Sequence, residues 1–432
     1  MHTTPHRGTT KAIFIIGVLF FIFGFVTWLN GTLIQYLKLI CQLPSDSMAF
    51  LVTSAFFLAY FFLALPSAAI LQKTGYKNGM ALGLGVMVLG ALLFIPAAHA
   101  RNFPLFLVAL FIQASGMSLM QTAANPYISI LGPLNSAAKR MSIMGICNKT
   151  AGGVAPLILG ALVLKNAQAL NTQIQATTDP VLKETLLSEL AGRIVPMYIV
   201  IAVVLGILAL MIKASSLPEI QMGAEDDKAV GPETRTSIFQ FPHLLLGALC
   251  IFFYVGVEVL AGDGIGTFGR ALGISLDKTK YFTTFTLAAM LLGYITGIIL
   301  IPKYLSQQMA LKICAVLGLL FGTAVLFTTG YTAITFIALL GLSNSLMWPA
   351  IWPLALEGLG KFTKMGSALL IMGIFGGATI PNIYPALREK MHIPNSEAFC
   401  ICVLACYAYI LYYALKGHLA GRPKIAPLVG PA

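Results

Sequence analysis

Charge is missing from long stretches of this chain, and few folds tolerate that. No Asp, Glu, Lys or Arg occurs between Asp46 and Lys73, Lys77 and Arg101, Lys280 and Lys303, or Lys364 and Arg388. Each stretch is apolar and long enough for a transmembrane helix, which needs about 20 such residues. Two more uncharged stretches run from Arg101 to Lys139 and from Lys312 to Glu357. The first holds one span plus the turn Leu131–Ser136, and the second holds two spans parted near Gly330-Tyr331. Composition excludes a water-facing alternative: 58% of the 432 residues are hydrophobic and 10% charged, where soluble domains carry about 25% charged residues. Lipid cannot satisfy open backbone groups, so the segments must be helices, and they are too long and too apolar for barrel strands.

Twelve spans are expected, at 12–37, 48–71, 79–99, 103–128, 140–164, 193–213, 243–268, 280–302, 309–329, 332–356, 365–387 and 397–415. The polar stretch with Glu225–Lys228 and Pro232–Arg235 divides them six and six. Residues 1–213 then form an N-terminal six-helix bundle, 214–242 a central cytoplasmic loop, and 243–432 a C-terminal six-helix bundle. Basic residues favour cytoplasmic loops. With the N-terminus inside, the inner loops hold 16 Lys and Arg and the outer loops 10, with Lys149 left within the membrane. Both termini are expected in the cytoplasm, and the net charge of +12 requires no nucleic-acid partner. Cys41, Cys147, Cys250, Cys314, Cys400, Cys402 and Cys406 are scattered, without the spacing of a disulfide framework or a zinc site. The first apolar run lacks a small-residue cleavage signal and reads as a retained span.

The halves repeat weakly. Ala123–Gly132 in span 4 matches Met347–Gly360 in span 10. Gly152-Gly153 before Pro156 in span 5 matches Gly376-Gly377 before Pro381 in span 11. Repeats with Gly/Pro-interrupted spans mark secondary transporters whose site lies between the halves. An ionisable residue well inside a span costs about 2.5–3.5 kcal/mol on insertion scales and so needs a reason. Lys149, Glu258 and Asp263 qualify, whereas Arg140 and Glu357 fit membrane-edge anchors. Glu258 and Asp263 would lie about 140° apart on a regular helix. The glycines at 256, 262, 264 and 266 are expected to make this region irregular and turn both acids to one cavity. Lys149 needs a carboxylate partner, and a bridge to Glu258 or Asp263 across the halves would form a gate.

Neutral polar groups form the more specific pattern: Asn30 and Gln35 in span 1, Gln121 and Asn125 in span 4, Asn148 in span 5, and Asn344 with Trp348 and Trp352 in span 10. A four-residue step puts Gln121 and Asn125 on one helix face. Amides donate and accept, as a polyhydroxylated ligand requires, and indoles offer flat apolar faces with one polar handle. The same amides also join transmembrane helices to one another. No Walker loop, nucleophile elbow or HExxH motif occurs, so no enzyme, ATP-driven pump or cofactor is indicated.

Five segments carry a family likeness: Phe23–Lys38, Gln121–Pro133, Ser142–Ala161, Tyr254–Asp263 and Asn344–Gly360. The chain resembles the major facilitator superfamily, specifically the fucose:proton symporter family and its bacterial glucose/galactose transporter branch. The resemblance implies two pseudo-symmetric six-helix bundles, alternating access, and glucose and galactose uptake by cation symport in the inner membrane. It also shows departures. Fucose permeases carry an Asp after the span 1 Asn and a Glu opening the TAANP motif, where this chain has Gly31 and Gln121. Where that family has a Gln after YVGA, this chain has Glu258, so the negative charge has moved to the C-terminal half. The loop Gln72–Lys77 lacks the superfamily's acid.

The expected sugar ligands are Asn30, Gln35, Gln121, Asn125, Asn148, Asn344, Trp348 and Trp352, with Glu258 first and Asp263 second for cation coupling. A carboxylate among amide and carbonyl oxygens fits Na⁺ at Glu258, and a single buried Glu would serve H⁺ equally. A monomer in contact with membrane lipid is expected. The rival readings are proton-coupled uptake of another neutral sugar such as fucose, and export of small hydrophobic compounds.

Overall fold

The computed structural model describes residues 7–130, 137–215, 236–301 and 304–421. The expected turn Leu131–Ser136 and residues 216–235 of the central loop lie outside the described residues. Among the described residues, eleven apolar helical stretches are long enough to cross a membrane. One of them, Asp46–Ala100, holds two crossings on either side of Gly75, whose φ of 75° and ψ of 171° break the helix. Glycine takes this conformation at no steric cost. The described residues therefore make the expected twelve spans, in an all-α membrane protein.

Span 1 consists of Arg7–Trp28 and Asn30–Ile40, interrupted at Leu29. Spans 2 and 3 occupy 51–74 and 76–100, and span 4 is Phe103–Ile130. Span 5 is Ala137–Leu162 and span 6 Val195–Ala214. Between them the short helices Ala167–Ala176 and Pro180–Gly192 cover one end of the first half. The Tyr36 hydroxyl donates to the Leu190 and Ala191 carbonyls there at 3.0 and 2.9 Å. Spans 7, 8 and 9 are Pro242–Ala271, Phe282–Leu300 and Gln307–Leu326. Span 10 is Gly330–Asn344 and Met347–Leu356, with a break between. Span 11 runs through Thr363–Met372, a 3₁₀ turn Gly373–Phe375 and Gly376–Lys390, and span 12 is Asn395–Leu415.

Span 7 corrects one expectation. It is a single helix through Glu258, Asp263 and all four glycines. These glycines serve close packing instead of irregularity. A Cβ at Gly256 would lie 2.3 Å from Ile380, one at Gly262 2.3 Å from the Trp28 ring, and one at Gly266 2.0 Å from Gln35 Nε2. The two acids consequently keep their angular separation and face different surroundings.

The halves meet where span 1 packs on span 7, span 5 on span 8 and span 2 on span 11. Polar links tie them at one end. Arg388 Nη1 donates to Asp46 Oδ2 at 3.1 Å, and Lys38 pairs with the other Asp46 oxygen. Glu389 accepts from the Asp46 and Ser47 amides at 2.5 and 3.2 Å, and Asn382 Nδ2 donates to Ser54 Oγ at 2.8 Å. Further in, Thr279 Oγ1 donates to Gln35 Oε1 at 3.0 Å, and Lys280 Nζ donates to the Leu164 carbonyl at 2.7 Å. This end is sealed.

Candidate functional site

Between the halves lies a cavity of about 830 Å³ of empty space, its mouth included. Its lining extends from Trp28 and Lys149 to Phe20 and Met141. Met141 is one turn from the start of span 5, at the end opposite the seal.

The polar groups are held by specific elements. Gln121 and Asn125 face the cavity from span 4, and Gln121 Nε2 donates to the Tyr60 hydroxyl of span 2 at 2.9 Å. Asn148 of span 5 accepts from Trp28 Nε1 at 3.4 Å and donates to the Phe20 carbonyl at 3.3 Å. Across the cavity, Trp348 stacks on Trp352 with ring centroids 5.2 Å apart and lies 6.3 Å from the Tyr254 ring. The first half thus supplies the amides, and both halves supply aromatic faces.

Lys149 and Glu258 close the cavity between the halves. Lys149 Nζ lies 2.9 Å from Glu258 Oε1, the same oxygen accepts from the Tyr254 hydroxyl at 2.8 Å, and each charged residue is 7% exposed. Lys149 Nζ also sits 4.3 Å from the Trp28 ring centroid, so a cation–π contact shares in compensating its desolvation. A buried pair needs good geometry and extra hydrogen bonds to offset desolvation, and this pair has both. Lys149 is the counter-charge of Glu258 in this conformation.

Of the expected ligands, Gln121, Asn125, Asn148 and Trp348 line the cavity together with Lys149 and Glu258. The others do not join them. Gln35 bonds Thr279 in the seal, Asn344 Oδ1 accepts from the Tyr407 hydroxyl at 2.8 Å, and Trp352 backs Trp348. Asn30 is fully buried and Asp263 is 1% exposed, both outside the lining. Sequence reasoning passed over Trp28, Tyr60, Tyr254 and Tyr294, which all face the cavity. Tyr254 carried a usable signal, standing four residues before Glu258 on the same helix face. Arg140, expected at a membrane edge, is 7% exposed, and its Nε donates to the Ile128 carbonyl at 2.9 Å.

A helical protein with twelve crossings and a cavity between its halves that polar side chains enter is built as a solute transporter, not as an enzyme. The Major Facilitator Superfamily profile matches residues 16–381, and the chain belongs to that superfamily, within the fucose:proton symporter family. It is 36% identical over 420 residues to the glucose/galactose transporter of Brucella abortus, covering 96% of each chain. It is 26% identical over 398 residues to the L-fucose-proton symporter of Escherichia coli K12, covering 90% of each. Among solved structures, the major facilitator transporter FucP in the outward conformation matches with a TM-score of 0.75 at 25% identity, covering 94% of this chain and 99% of that one.

Proposed function

We propose that this protein imports hexoses, glucose and galactose among them, by cation symport with alternating access across a bacterial inner membrane. One observation carries the reading: amides of spans 4 and 5 and indoles of spans 1 and 10 face a single cavity that a buried Lys149–Glu258 pair crosses. Hydroxyl-rich rings need donors and acceptors along their edges and apolar surface at their faces. A carrier of hydrophobic compounds has no use for clustered amides, so the geometry favours the sugar. The names of the relatives support both the hexose and a proton as the coupling ion.

Residues 1–213 and 243–432 are the two moving bundles, acting in a monomer with both termini in the cytoplasm. In that orientation the seal at Asp46, Arg388 and Glu389 is extracellular and the cavity opens inward. Sugar uptake into vesicles with imposed pH or Na⁺ gradients, wild type against Glu258→Gln, tests the reading. Gradient-driven hexose accumulation in wild type, reduced in Glu258→Gln, supports it. Uptake indifferent to both gradients overturns symport.

A further inference from the structure

Asp263 takes no part in the Lys149–Glu258 ion pair: Lys149 acts on it from a distance while bonded to Glu258, so one ammonium faces two carboxylates. It is 1% exposed and bonds no side chain, and the Gly31 backbone of span 1 is the polar group set against it. None of the ion pairs among the described residues includes it. On its own helix Glu258 holds Lys149, the charged group that span 5 brings to this region. Span 1 faces Asp263 with Gly31: a Cβ there would stand 3.0 Å from Asp263 Oδ1 and 2.6 Å from Thr283 Oγ1. Span 8 contributes that Thr283, whose hydroxyl donates to the Gly262 carbonyl at 2.8 Å. The ammonium of Lys280, just before span 8, is turned to Leu164 and Asp277.

A buried carboxylate without a counter-charge of its own is neutralised by a proton or a cation. A hard metal cation needs a shell of several oxygen ligands. Here the Gly31 backbone leaves less than a methyl group of room beside Asp263 Oδ1, too little for the several oxygens of such a shell. A proton needs no shell. We infer that Asp263, in an occluded site beyond the sugar cavity, carries the coupling proton, while Glu258 is held by Lys149. This rests on the symport reading.

The site lies between two layers along the contact of spans 1 and 7. On the cavity side the Trp28 ring covers Gly262, and on the sealed side Gln35 bonds Thr279 and packs on Gly266. Parting the Gln35–Thr279 layer gives Asp263 access to the sealed end. Displacing Trp28 gives it access to the cavity. A proton taken up by the carboxylate on one side leaves it on the other, and no other bond changes.

The test uses the full-length protein in liposomes. Asp263→Asn is expected to keep hexose counterflow, which needs no net proton movement, and to lose uphill accumulation, equilibrating sugar instead. Loss of counterflow together with accumulation in Asp263→Asn overturns the inference, since the residue would then serve sugar binding or folding. Wild type supplies a reading that needs no variant: hexose addition to weakly buffered vesicles must alkalinise the outer medium without Na⁺. Sugar uptake that requires Na⁺ and moves no proton overturns the inference while leaving hexose symport intact. Absence of any hexose counterflow in wild type is the separate failure of the transport reading itself.

Discussion

Trp28 joins three parts of the site through one side chain. Its ring lies under the Lys149 ammonium, its Nε1 holds Asn148, and its faces fit glycine notches at 152 and 262, where a Cβ would lie 2.3 Å from the ring. Trp28→Ala is expected to open a path between the cavity and Asp263. The measurable outcome is sugar-independent dissipation of a pH gradient in vesicles, absent in wild type. The ion pair beside it makes a second prediction. Lys149→Met leaves Glu258 buried without its counter-charge, which costs about 3–5 kcal/mol. Adding Glu258→Leu should recover most of that stability in thermal unfolding while uptake stays lost. The charged residues were legible in the sequence because each is expensive in lipid, and Gln121 with Asn125 because of their spacing. Trp28, Tyr60 and Tyr294 were not, since an aromatic in an apolar span carries no mark of whether it faces solute, protein or lipid. Gln35 and Asn344 share the chemistry of the cavity amides, but the rotation of each helix points them elsewhere.

At the scale of elements, backbone contact through glycine sets how the spans lie. A Cβ at Gly24 of span 1 would sit 1.8 Å from the Asn148 carbonyl oxygen of span 5. One at Gly376 of span 11 would sit 1.7 Å from the Phe252 carbonyl oxygen of span 7. Spans 1 and 5 in the first half correspond to 7 and 11 in the second, so the repeat includes its closest contact. Gly24→Ala and Gly376→Ala should each destabilise by about 1–3 kcal/mol or more, because a carbonyl on a packed helix cannot step aside. Gly206→Ala, which has open space around its Cβ position, is the matched control and should unfold as wild type does. Span existence was readable from the intervals between charges. The break at Ser345-Leu346 carried a mark, because Pro349 lacks the N–H that the residue 345 carbonyl would accept. In span 7, glycine was read as a source of irregularity when it was a means of approach.

For the whole molecule, the polar links among Asp46, Arg388, Glu389, Asn382 and Ser54 hold one conformation of two that the same sequence must support. Arg388→Ala with Glu389→Ala should shift the balance toward the state open at that end. A cysteine introduced at Gln35 would then react faster with a membrane-impermeant thiol reagent than it does without the two alanines, and an unchanged rate would show that the links do not hold the seal. The six-and-six division was legible because a polar stretch interrupts the rhythm of the spans. The sealed end was not, because its partners come from opposite halves and exist in one state only. The placement of the indoles has a consequence for how the protein is observed. The chain has three tryptophans: Trp28 and Trp348 line the cavity and Trp352 stacks on Trp348. Intrinsic indole fluorescence therefore originates entirely at this site. Addition of a bound hexose should alter the emission intensity or wavelength of the unlabelled protein, giving an optical titration of occupancy in which no distant residue contributes.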